Sequence, residues 1–176
     1  MNGFAGHTGS NSGKHMKKYI AITAALFTLG TAGFAQASAT LTISGTVAAI
    51  NTITIASQTG YNSLNIVSGE TDKLVGIATE TSNDVLGYKV TLSSANAGST
   101  AQAFLAGTGG NTDTVNYSIK YGGTAVTLAS GSAIVTTAAA RTASTGVAKN
   151  ITVTLAGSWR AADTYSDTLT LTIAGN

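Results

Sequence analysis

The chain has 176 residues, no cysteine and no proline, and its two histidines are His7 and His15. A disulfide framework is excluded, and so, beyond residue 15, are catalysis with a histidine base and zinc sites built on Cys or His. The formal net charge of +2 comes from the N-terminal region, because Lys14, Lys17 and Lys18 lie there and leave six basic against seven acidic residues from Ser38 onward; charge therefore gives no argument for a nucleic-acid or anionic-membrane partner.

Residues 1–15 are rich in Gly, Ser and Asn and are expected to stand outside the fold. Met16-Lys17-Lys18 then opens a basic segment. An apolar stretch follows from Tyr19 to Phe34, and Ala35-Gln36-Ala37 supplies a small-residue exit. This order predicts a secretory signal peptide over 16–37. Thr23, Thr28, Gly30, Thr31 and Gly33 interrupt the apolar stretch, which is too short and broken for a membrane span. The part that follows is expected to be exported, to carry no integral membrane segment, and to fold as one domain.

From Thr40 onward the dominant period is two. Thr40–Val47, Thr52–Ile55, Asn150–Leu155 and Thr168–Ile173 alternate polar and apolar residues, and each is predicted as a strand with one buried face. Further strands are predicted at Ser63–Val67, Lys73–Thr79, Tyr88–Ser93, Val115–Tyr121, Ala125–Leu128 and Ala133–Thr137. Gly- and Asn-containing turns separate them, with Gly122-Gly123 the strongest hairpin signal. Ala138–Lys149 reads as a loop or a short helix. About ten short strands at this spacing predict an all-β chain folded as a β-sandwich.

Four segments together resemble the pilin-like subunits of chaperone–usher fimbriae, with colonisation-factor fimbrial subunits and spore coat protein U-like proteins as nearest kin. They are Ala39–Val47, Ser82–Asn96, Val115–Gly123 and Ala162–Ile173. Spore coat U-like proteins usually carry cysteines, so the absence of cysteine favours the colonisation-factor side. The resemblance implies an immunoglobulin-like β-sandwich of pilin type, lacking one strand and completed by a donor strand from another subunit. It implies a donor segment over 38–48 whose Leu41, Ile43 and Val47 enter a neighbour's groove, with Gly45 between them allowing close backbone approach, and a sandwich over 49–176. The implied partners are identical subunits in a fibre, a periplasmic chaperone and an outer-membrane usher. The implied location is a surface fimbria reached through the periplasm.

Two other readings use the same residues. One is a secreted monomeric β-sandwich that binds carbohydrate, with Trp159 beside Arg160 as its ligand contact, although an aromatic there is more often a core or rim residue. The other is a coat or matrix protein that assembles without a chaperone. No cofactor, metal site or enzymatic activity is expected. Asp163 and Asp167 flank Tyr165 and read as solubilising the last strand. Gly107–Asp113 reads as a flexible hairpin loop, and Glu70, Asp72, Glu80 and Asp84 read as a solvated acidic face.

Overall fold

The computed structural model describes residues 37–176; the extension and all but the last residue of the expected signal segment lie outside them. Contacts divide the chain at Gly45/Thr46, and the body from Thr46 onward is the unit that carries the sheets.

The described residues contain ten strands and no helix. In chain order they are β1 (Asn51–Ser57), β2 (Gly69–Ser82), β3 (Tyr88–Ser94), β4 (Ala103–Gly107), β5 (Thr114–Tyr121), β6 (Thr124–Val126), β7 (Ser132–Ala138), β8 (Val147–Ala156), β9 (Tyr165–Ser166) and β10 (Leu169–Gly175). They form two antiparallel sheets, as expected for an all-β chain. The larger runs β1-β2-β8-β5-β4-β9, with β6 paired to β5. The smaller runs β10-β3-β7.

Alternation explains the core. Val115, Tyr117, Ile119 and Tyr121 of β5 and Ile151, Val153 and Leu155 of β8 are buried, as are Tyr88, Val90 and Leu92 of β3, while the Thr, Ser and Lys residues between them are half-buried or exposed. The Gly122-Gly123 hairpin forms as expected. Both glycines have positive φ, 57° and 85°, and Tyr121 pairs with Thr124 across the turn. These are the torsions a two-residue primed turn requires.

Three expectations fail. Ser63–Val67 forms no strand. Asn65 there accepts backbone N–H groups from Ser68 through Oδ1 (2.9 Å) and from Gly69 through its carbonyl (2.9 Å), so the segment closes into a turn. Thr40–Val47 is likewise in no strand. The acidic face is broken by Glu80, which is 0% exposed. Its carboxylate accepts hydrogen bonds from Tyr88 Oη (2.9 Å), Tyr121 Oη (2.6 Å) and Thr136 Oγ1 (2.7 Å). Glu80 and Tyr121 belong to the larger sheet, Tyr88 and Thr136 to the smaller, so one buried carboxylate ties the sheets together. Within Ala138–Lys149, Ala138 ends β7, residues 139–146 form a loop, and β8 begins at Val147.

Gly87 shows how tightly β2 and β3 are joined. Its φ is 90°, and a Cβ there would collide with the carbonyl oxygen of Ala138. Gly87→Ala is expected to destabilise the fold by at least about 1–3 kcal/mol, the usual range for a strained backbone residue, before counting the collision. A urea titration of both proteins measures it.

Candidate functional site

The two sheets end unequally on one side. β1 is the last strand of the larger sheet and pairs only with β2; β10 is the last strand of the smaller sheet and pairs only with β3. Each thus presents one backbone edge without a strand partner among the described residues. The two strands meet at one pole. A Cβ on Gly175, at the end of β10, would lie 3.2 Å from Asn51 Nδ2 at the start of β1.

Toward the other pole they diverge around a cleft of about 380 Å³, lined mainly by Ile55, Leu64, Leu105, Ile151, Val153 and Leu169. The core-facing residues of the flanking strands are correspondingly under-covered. Leu169, Leu171 and Ile173 of β10 are only half-buried, and Ile55 of β1 is 47% exposed. Gly76 leaves room in the floor: a Cβ there would press on Ile55 Cγ2 at 3.2 Å and lie in ordinary contact with Ile151 Cδ1 at 3.5 Å.

A polar network fixes the entrance to β10. Asp167 Oδ2 accepts from Ser94 Oγ and Tyr117 Oη, both at 2.6 Å, and Oδ1 accepts from the Asn96 N–H (3.0 Å) and its neighbour Thr168 N–H (2.7 Å). Ser94 is in the smaller sheet and Tyr117 in the larger, so this carboxylate also bridges them. Burial, and then the hydrogen bond to Asp167, hold the Tyr117 phenol well above the usual tyrosine range. Asp163, expected as a solubilising residue, accepts from the Gly109 N–H through both oxygens (2.8 and 2.9 Å) and from Asn111 Nδ2. It therefore anchors the Gly107–Asp113 loop, which reads from sequence as a flexible hairpin loop.

The residues expected to contact partners are exposed. Leu41, Ile43 and Val47 are 86, 87 and 85% exposed, and no atom lies near the position of a Cβ on Gly45. Trp159 is 88% exposed in the β8–β9 connection, so of the core or rim placement expected for it the core is excluded. Ser158 before it donates its N–H to the Ile66 carbonyl (2.9 Å), and this fixes the backbone there while leaving the indole outside. A groove was implied by the resemblance alone, and none of the residues that line this cleft was singled out for it from sequence. The free edges of β1 and β10 beside it follow from the sheet order, which no local pattern gives. No known protein-family model matches the chain, and no curated protein matches it.

Proposed function

We propose that this chain is a structural subunit of a surface fibre, an immunoglobulin-like sandwich of pilin type whose open side is completed by the N-terminal segment of an identical neighbour. The observation that carries the reading is a match between a vacancy and a surplus. An apolar cleft lies between two free strand edges, and the same chain has an uncharged alternating segment with Leu41, Ile43 and Val47 exposed. A strand laid along the free edge of β10 would hydrogen-bond its backbone to that edge and point alternate side chains into the cleft. Each aliphatic tooth so buried contributes about 1.5–3 kcal/mol. In this reading the chain is exported, a periplasmic chaperone covers the cleft until a neighbour arrives, and an outer-membrane usher orders the addition. Catalysis plays no part in it.

The test is a transplant. Full chain should form thin fibres visible by electron microscopy, and deletion of Ala39–Ala48 should leave none. Moving Ala39–Ala48 to the C-terminus behind a flexible linker should give a monomer more stable than the deletion protein. Fibres from the deletion protein would reject the proposal.

A further inference from the structure

A second cleft, of about 410 Å³, adjoins the first and shares Tyr61, Leu64, Leu105 and Asp167 with it. The rest of its lining is of another kind. The β1–β2 connection contributes Tyr61, Asn62 and Ser63, and β9 with the residue before it contributes Thr164, Tyr165 and Ser166. Both walls are held by bonds that leave these polar side chains unspent. Tyr61 and Ser63 donate their N–H groups to the carbonyls of Gln58 (3.1 Å) and Gly60 (3.2 Å), and Asn65 closes the remainder of that loop. On the other wall the Thr164 carbonyl accepts from the Thr108 N–H (2.9 Å) and Oγ1 (3.0 Å), and Tyr165 Oη donates to the Ala161 carbonyl (2.8 Å). The side chains of Asn62, Ser63, Thr164 and Ser166 take no part in these bonds and are exposed. We propose that this cleft is a binding site for a neutral saccharide no larger than a disaccharide.

Charge decides the class. Asp163 and Asp167 also line the cleft, and no Lys or Arg does. Each of the four carboxylate oxygens already accepts two hydrogen bonds. On Asp163 they come to Oδ1 from the Gly109 and Thr164 N–H groups and to Oδ2 from the Gly109 N–H and Asn111 Nδ2. On Asp167 they come to Oδ1 from the Asn96 and Thr168 N–H groups and to Oδ2 from Ser94 Oγ and Tyr117 Oη. That fills the roughly four lone-pair sites of each carboxylate. The cleft thus offers an anion no counter-charge and a cation no free acceptor. What it does offer is two tyrosines together with uncharged amide and hydroxyl groups. A sugar needs that pairing, because its C–H faces are apolar and its rim is all hydroxyls. The volume falls within the range of about 300–1,000 Å³ usual for small-molecule sites. A peptide finds less here, since β9 is two residues long and too short an edge to template an added strand. Trp159 lies outside the lining, so its exposed indole is not this site's contact. No residue of 38–48 enters the argument, and the site stands independently of the fibre reading.

Frontal affinity chromatography over immobilised full chain tests the proposal, with lactose, maltose, mannobiose and diacetylchitobiose as probes. At least one should be retained with a Kd of about 1 mM or tighter. Sialyllactose, which adds a carboxylate, should be retained no better than lactose. Tyr61→Ala should weaken retention at least about tenfold by removing an aromatic face, and Asn62→Ala about threefold by removing an amide. Trp159→Ala should stay within about twofold of wild type. Urea unfolding shows that each variant is folded; should Tyr61→Ala lower the midpoint, Asn62→Ala reads the site by itself. Retention of none of the neutral probes, or of sialyllactose alone, would overturn the proposal. Folded Tyr61→Ala and Asn62→Ala that bind as wild type does, or loss of binding on Trp159→Ala, would overturn it as well.

Discussion

Ile43→Asp is expected to abolish fibre formation while leaving the unfolding transition of the subunit unchanged. Ile43 is 87% exposed, so its own chain loses no packing on substitution. In a neighbour's cleft the same change acts twice. It removes a burial worth about 1.5–3 kcal/mol, and it asks a carboxylate to enter a slot lined by Ile55, Leu105, Ile151 and Leu169, a penalty of several kcal/mol. At about 1.4 kcal/mol per decade the interface weakens by at least about a thousandfold. The control is built into the period. Thr42 lies on the opposite face of an extended segment, so Thr42→Asp keeps the same net charge and should leave fibre yield within about threefold of wild type. Sedimentation of assembled material and a thermal scan of the subunit read both effects. Equal assembly by the two variants would remove the idea that alternate residues are teeth.

Where the alternation is regular and one face is buried, the fold could be read directly: β3, β5, β8 and β10 fall where Tyr88–Ser93, Val115–Tyr121, Asn150–Leu155 and Thr168–Ile173 predict them. β4 escaped because Ala103-Phe104-Leu105-Ala106-Gly107 has three small residues and adjacent rather than alternating large ones, so period two is masked. Ser63–Val67 erred in the opposite sense. Leu64 and Ile66 alternate as in a strand, but Asn65 uses its own side chain and carbonyl to close a turn, and both apolar residues pack on the core from a loop. Glu80 was hidden by register. Val75 and Ile77 suggest one inward face for β2, yet irregularities between Glu70/Lys73 and Leu74/Gly76 shift the pairing, and Ala78, Glu80 and Ser82 turn inward instead. A bulge leaves little trace in composition. The residues that line the cleft carried no local signal. That β1 and β10 end different sheets on the same side depends on long-range pairing, which no local pattern encodes.

Unfolding should become steeply pH-dependent above about pH 10, and the reason is the burial of Tyr88, Tyr117 and Tyr121 with their phenols against Glu80 and Asp167. Tyr88 and Tyr121 donate to Glu80 and Tyr117 donates to Asp167. Burial first, and the carboxylate partner second, raise all three phenols, Tyr88 to about 12 and the other two further. A raised folded-state value means the neutral phenol is the form the fold keeps. Its contribution is complete below the unfolded value of about 10 and is lost as pH rises toward the folded value. Over that window each tyrosine that ionises only on unfolding removes about 1.4 kcal/mol per pH unit, so three remove up to about 4. Against a total stability of about 5–15 kcal/mol, the loss of up to about 8 kcal/mol between about pH 10 and 12 removes half or more of what holds the sheets together. Urea titrations at a series of pH values, with tyrosinate absorbance followed in parallel, give the slope. Tyr88→Phe should flatten it by about a third, since it deletes one of the three titrating groups. Glu80→Ala should already cost about 3 kcal/mol or more at neutral pH, because hydrogen bonds to a charged acceptor contribute about 1.5–3 kcal/mol each and three donors lose theirs together. Tyrosines that all ionise near pH 10 with both sheets intact would mean that the two carboxylates do not hold the sandwich closed.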